Sequence, residues 1–280
     1  MRGSTPCPCA ANHRYGGNTS CVVLESPGAE PLILDLGTGL RFWGDTQPLD
    51  GTFSAHALVT HLHFDHVQGL PFLGPADRPG AQLDIYAPPQ DGQSLGEAFH
   101  GFIRPPYFPI RWEDLRGTYR FHEVADTEIV VGDAKVMVRP VPHVGLTNGY
   151  RIELGGATIA YVSDHQMPMD GSHVVPASVV ELAEDVDLLI HDAQYTASEF
   201  SDRAHWGHCT TEFAVEVAKA AGVKRLALYH HDPMHSDEMV DELVQLARGL
   251  VGEDLEVIAA AEGLTITLAD PLPDPYASAG

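Results

Sequence analysis

The chain has 280 residues, 44% of them hydrophobic, and 16 basic against 39 acidic side chains for a net charge of −23. That length fits one large domain or two small ones, with enough apolar content for a core. The acidity serves solubility and argues against a large nucleic-acid ligand, which is bound through Lys and Arg, but leaves room for a small phosphate ester. No apolar run approaches the ~20 residues that span a bilayer, so no membrane partner is expected. Met1-Arg2-Gly3-Ser4-Thr5-Pro6 lacks the apolar core of a signal peptide, and the expectation is a cytoplasmic protein. Cys7, Cys9, Cys21 and Cys209 do not form a disulfide framework in a chain this long. Cys7 and Cys9 are read as ordinary thiols.

Strands joined by glycine turns are expected first, over Thr19–Glu25 and Pro31–Asp35, the second running into the corner Asp35-Leu36-Gly37-Thr38-Gly39. A buried strand follows at Ala55–Thr60, then a His-rich loop and a short helical start at Val67. Gln82–Ala87 reads as a strand. Gln90–Arg116 contains Arg104-Pro105-Pro106-Tyr107-Phe108-Pro109 and cannot be a helix interior there. It is expected to fold over the mouth of a site, or else to be a surface loop packed by its own aromatics. Strands resume at Thr127–Val131, Ala134–Pro140, Thr147–Leu154 and Ala157–Ser163, with Gly155-Gly156 as a hairpin signal. A short helix at Val179–Glu184 precedes a buried strand at Asp187–His191. Thr210–Ala221 reads as a helix capped by Thr210 or Thr211 and ended by Gly222. Lys224–Tyr229 is a strand, Ser236–Leu250 a helix, and Glu256–Ala260 and Leu264–Leu268 are closing strands. The Pro-rich tail, 269–280, is expected to be disordered. Two runs of strands, each followed by helices, predict an α/β chain folded as one domain over 1–268: two packed mixed sheets with helices outside, a four-layer αββα sandwich.

The His-rich loop is His61-Leu62-His63-Phe64-Asp65-His66. Four side chains that bind transition metals fall within six residues, and imidazole with carboxylate suits zinc, manganese or iron. A strand feeding a tight loop and then a helix can aim alternate side chains at one point, so His61 and His63 would serve one metal, Asp65 and His66 a second. Two metals need further ligands. His143, Asp164 and His230 each sit just past a predicted strand, where a sandwich gathers loops along one edge.

This set resembles the metallo-β-lactamase superfamily over nearly all of residues 1–268, and within it the ribonuclease Z-like, cyclic-nucleotide phosphodiesterase-like branch. The resemblance implies two divalent ions, zinc by default with manganese or iron accepted. His61, His63 and His143 would hold one, Asp65, His66 and His230 the other, and Asp164 would bridge them. Leu228-Tyr229-His230 fits the register of the family's last histidine; the adjoining His231 is the alternative. Leu188-Leu189-Ile190-His191-Asp192-Ala193 resembles the branch's Leu-Leu-Ile-His-Glu-Ala segment, and Trp206-Gly207-His208-Cys209-Thr210 its Gly-His-Ser-Thr segment. By that likeness His208 is a proton donor near the scissile phosphate, oriented by Asp192, and Asp65 counts with them as catalytic. Asp192, Gln194 and Cys209 depart from the family's Glu, Thr and Ser; the shorter carboxylate bears on how well His208 is oriented, and His205 is a substitute donor. Arg14-Tyr15-Gly16-Gly17-Asn18-Thr19-Ser20-Cys21 is also similar to bacterial phosphodiesterase-like members. A homodimer is implied by the resemblance alone.

The expected function is hydrolysis of a small phosphodiester, a cyclic nucleotide included, by metal-activated water with His208 as acid. The alternatives are tRNA 3′-end processing, for which no basic arm is found, since Gln90–Arg116 carries only Arg104, Arg111 and Arg116, and hydrolysis of a lactone, thioester or β-lactam, which needs no strong donor at His208.

Overall fold

The computed structural model describes residues 1–252 and 255–268; the tail at 269–280 lies outside the described residues. One sheet has five strands in the order β1 (Val22–Leu24), β2 (Leu32–Leu34), β3 (Ser54–Leu58), β4 (Gln82–Ala87) and β5 (Thr118–Glu123). β1 and β2 are antiparallel, and the rest run parallel. The other sheet begins with an antiparallel meander of β6 (Thr127–Val131), β7 (Ala134–Pro140), β8 (Asn148–Leu154) and β9 (Ala157–Val162). It continues in parallel through β10 (Leu188–Asp192), β11 (Arg225–Tyr229) and β12 (Glu256–Ala259).

The side-chain period of two explains the layering. In β2, Leu32 and Leu34 join a core between the sheets with Leu58, Val136, Tyr150, Ile152, Leu188 and Ile190. Ile33, between them, points into a second core with Ala57, Leu83 and Ile85. That outer core is closed by α1 (Leu40–Gly44) and α3 (Leu95–Phe102). On the far side, Leu189, Leu226 and Leu228 pack against α4 (Ala177–Ala183), α6 (Thr211–Ala220) and α7 (Asp237–Val251). The result is the expected αββα sandwich. Strands buried on both faces, such as β10, read as apolar runs for this reason. Among the described residues, no helix is long and apolar enough to cross a membrane.

Several elements differ from the sequence reading. Leu264–Leu268 is not a strand. β5 was not expected; it is an edge strand, half exposed, without a clean apolar alternation. Gln90–Arg116 is not merely irregular: it holds α3, opened by a reciprocal Ser94–Glu97 cap. Its aromatics pack on each other and on the sheet, Phe99 lying 6.0 Å from Trp112 and 5.2 Å from Phe121. It supplies none of the residues that line the cavity described below. α5 (Ala197–Arg203), capped by Thr196 and Glu199, was also missed. The Gly155-Gly156 turn is as expected: both residues have positive φ, 59° and 85°, which a tight hairpin between β8 and β9 requires.

Candidate active site and metal centre

All seven candidate ligands converge at one edge of the sandwich, from loops after β3, β7, β9 and β11. β3 belongs to one sheet and the other three to the second, so the site lies across their seam. α2 (Phe64–Val67) is a single turn that starts inside the His-rich loop, with His63 as its N-cap. The turn swings Asp65 and His66 to the opposite side of the cluster from His61 and His63.

Two groups result. His61, His63, His143 and Asp164 form the first. His61 Nε2 and His143 Nε2 approach His63 Nδ1 at 2.8 and 3.3 Å, and lie 3.7 and 3.6 Å from Asp164 Oδ2. Asp65, His66 and His230 form the second. His66 Nε2 and His230 Nε2 lie 3.3 and 3.2 Å from Asp65 Oδ2, and 3.2 and 3.4 Å from the other oxygen of Asp164. Asp164 thus faces one group with each oxygen, as a bridging carboxylate must. His66 Nε2 and Asp164 Oδ1 are buried without a hydrogen-bond partner. Buried polar atoms are rarely left so, and a cation between them would satisfy both. The nitrogen–oxygen donor set fits two divalent ions of the zinc, manganese or iron class.

Further residues fix the imidazole tautomers, and these the sequence reading missed. Asp35, buried at the end of β2, accepts from His66 Nδ1 at 2.7 Å. Its two oxygens also accept from the Thr60 amide at 2.7 Å and the Tyr161 hydroxyl at 2.9 Å. Gln194 Oε1 accepts from His230 Nδ1 at 2.8 Å, and the Gly207 carbonyl from His143 Nδ1 at 2.6 Å. Each bond leaves Nε2 free to bind a metal. Asp35 and His230 both adopt positive φ, 58° and 57°, a conformation that costs a non-glycine residue on the order of 1 kcal/mol and marks functional sites. The sequence carries a signal for both: Asp35 ends a strand as the candidate ligands do, and Gln194 stands where the family has threonine, directly after the His191-Asp192-Ala193 segment. Ser4, whose amide donates to Asp65 Oδ2 at 2.8 Å, gave no signal.

Charge follows the same pattern. Burial opposes ionisation of Asp65 and Asp164, yet the surrounding histidines, His66 and His230 chief among them, hold both carboxyls well below the usual range. Burial pushes His61 and His143 down, toward the neutral form that ligates. His66 goes the other way: burial opposes its proton, but Asp164, Asp65 and Asp35 outweigh it. A cation entering there must displace that proton.

His208 Nδ1 lies 2.8 Å from Asp192 Oδ2. The shorter carboxylate is well placed because the backbone holds it: Oδ2 also accepts from the His165 amide at 3.1 Å, and Oδ1 from the Gln194 amide at 2.9 Å. Burial lowers the pKa of His208, but Asp192, Asp164 and Asp65 together raise it, favouring the protonated ring. The ring stacks on His230 at 4.9 Å, and His208, Asp164 and His230 make a third cluster with ligand spacing. His231 turns away, its Nε2 against the Ala260 carbonyl at 3.3 Å. His205 meets the Trp206 indole rather than the cavity. The cavity itself has a volume of about 370 Å³ and a floor of His63, Asp65, His143, Asp164 and His208. Ser4, Phe64 and Trp206 complete its wall.

The Beta-lactamase superfamily domain model matches residues 46–231. An uncharacterized protein of Mycobacterium tuberculosis is 31% identical over 225 residues, covering 78% of this chain and 76% of that protein. Ribonuclease Z of Haloarcula marismortui is 27% identical over 302 residues, covering 92% and 94%. Among solved structures, a metallo-β-lactamase fold protein of Bacillus subtilis superposes with a TM-score of 0.70 at 22% identity, covering 94% of each chain. Human tRNase Z, short form, superposes with a TM-score of 0.67 at 21% identity, covering 96% of this chain and 97% of its own. The structural likenesses establish the fold, the family match spans most of the chain, and the chain therefore belongs to the β-lactamase superfamily, as a hydrolase of the metallo-β-lactamase fold.

Proposed function

We propose that this hydrolase cleaves small phosphodiesters with two divalent ions, zinc before manganese or iron. His61, His63 and His143 would hold one, Asp65, His66 and His230 the other, and Asp164 both. Bound there, the ions supply Lewis acidity, lowering the pKa of water and drawing charge from phosphoryl oxygens. The chain's own residues supply the rest. Asp192 takes the Nδ1 side of His208, which leaves Nε2 as the nitrogen available to substrate. From the cavity floor that nitrogen can pass a proton to the departing alkoxide. The single observation that carries this reading is the His208–Asp192 pair beside a paired ligand set, because a phosphodiester's alkoxide needs a proton at departure.

The ribonuclease Z relative supports tRNA 3′-end processing as a second reading. Against it stand the net charge of −23 and a Gln90–Arg116 segment folded onto its own sheet. The deciding experiment is turnover of bis(p-nitrophenyl) phosphate by zinc- and manganese-loaded protein beside His208→Ala. The expected result is turnover of this aryl diester by both proteins, since p-nitrophenolate departs without a proton, and a loss of ~100-fold or more in His208→Ala on a diester with an alkoxide leaving group, with metal content unchanged. Loss of metal in His208→Ala would make His208 a ligand instead. No turnover with either ion would favour carbonyl substrates such as lactones and thioesters, and a tRNA transcript bound at physiological salt would favour the second reading.

A further inference from the structure

Two large aromatic side chains stand exposed at the wall of the catalytic cavity, Phe64 at 65% and Trp206 at 55%. Aromatic surface is costly to leave in water and, at a cavity mouth, marks recognition. Both rings are held in place. Phe64 lies between the candidate ligands His63 and Asp65 on the turn of α2, and backs onto Phe102 at 6.0 Å. Trp206 is held by Arg203, the last residue of α5. Its amide donates to the Arg203 carbonyl at 2.9 Å, and the Arg203 guanidinium sits 5.6 Å from the indole ring, itself pinned by Asp232 at 2.9 Å. Gly207 then turns the backbone at φ 96°, where a Cβ would strike the His143 ring. That turn places Trp206 on the wall and His208 on the floor within two residues.

The charge of the cavity narrows the ligand further. Its lining contains no Lys or Arg. A single phosphoryl anion can be met by the metal centre, whereas a second phosphate would find no countercharge. We propose that Phe64 and Trp206 form an aromatic subsite that stacks the planar ester group of a monoanionic phosphodiester, a nucleobase or an aryl group. The subsite selects such diesters over aliphatic ones and over polyphosphates. This deepens the phosphodiesterase reading and rests on it.

The test is calorimetric binding of diphenyl phosphate and dimethyl phosphate, both monoanionic diesters, to the full metal-loaded chain. Wild type should bind diphenyl phosphate at least ~10-fold more tightly, since one stacked ring is worth about 5–150-fold by alanine substitution. Trp206→Ala and Phe64→Ala should each weaken diphenyl phosphate by about 5-fold or more and leave dimethyl phosphate unchanged, and Trp206→Phe should restore most of the loss. Diphenyl phosphate should also shift the tryptophan emission of wild type and not of Trp206→Ala. Equal affinity for the two diesters, or an equal loss of both in the alanine variants, overturns the proposal. Turnover of bis(p-nitrophenyl) phosphate together with equal affinity for diphenyl and dimethyl phosphate overturns this subsite alone. Aromatic-dependent binding without any turnover overturns the phosphodiesterase reading and leaves the subsite standing.

Discussion

Asp35→Asn isolates a residue that touches no candidate substrate yet should control the second metal. The substitution preserves shape, and asparagine tolerates the positive φ at this position as well as aspartate does. The Thr60 amide at 2.7 Å can still be met by the remaining carbonyl oxygen. The loss falls on the other oxygen, which accepts from His66 Nδ1 at 2.7 Å and the Tyr161 hydroxyl at 2.9 Å. An NH2 group placed there donates to His66 Nδ1, which drives the imidazole proton to Nε2, the atom 3.3 Å from Asp65 and 3.2 Å from Asp164. A protonated Nε2 cannot ligate. Loss of such an outer partner costs about 10–100-fold in metal affinity. The fold should weaken as well, by about 1–3 kcal/mol, for the exchange of buried charge-assisted bonds for neutral ones. Competition with a chelating dye should show one tight and one weakened site, and urea denaturation should report the stability change. Two unaltered sites in Asp35→Asn would refute the argument that Asp35 sets the tautomer of His66, or that His66 is a ligand at all.

Three further outcomes are expected. His230→Ala should lose the second metal ion while His231→Ala keeps both, because only His230 reaches Asp65 and Asp164; equal metal content by elemental analysis would refute this assignment. Asp192→Asn should lower kcat by about 100-fold with metal content retained, since the amide no longer fixes the His208 proton; unchanged turnover of a diester with an alkoxide leaving group would remove the pair from catalysis. Tyr150→Phe should destabilise the protein by about 1–3 kcal/mol, because its buried hydroxyl bonds the Val59 carbonyl at 2.6 Å and that carbonyl would be left unpaired. A urea midpoint within error of wild type would count against it.

What the sequence disclosed was what packing dictates locally. β4, β6 and β7 match their expected bounds because each is bounded by turn residues and carries strand-forming side chains. The candidate ligands were legible because each stands just past such a strand. What stayed hidden was set by distant partners. β5 is Thr118–Glu123, with four polar side chains in six, and forms only because β4 offers it an edge. Leu264–Leu268 alternates like a strand but does not pair as one. α3 and α5 were announced by Ser94–Glu97 and Thr196–Glu199 caps, which a reading led by apolar periodicity passed over. The partners of the histidines, Asp35 and Gln194, become visible only when separate strands meet.

Asp65 and His230 are 165 positions apart, and His63 and His143 are 80 apart. Such pairs exist only once both sheets have docked, and the expected order is that the candidate ligand set assembles late in folding, after the loop closures that limit the rate. Ions held there would deepen the native basin without acting on the folding barrier. Occupancy should therefore appear as a longer native half-life, with slower escape from the folded state and an unaltered rate of return to it. The seam between the sheets then acts as a latch closed last, and the enzyme's endurance in a metal-poor medium becomes a matter of kinetics.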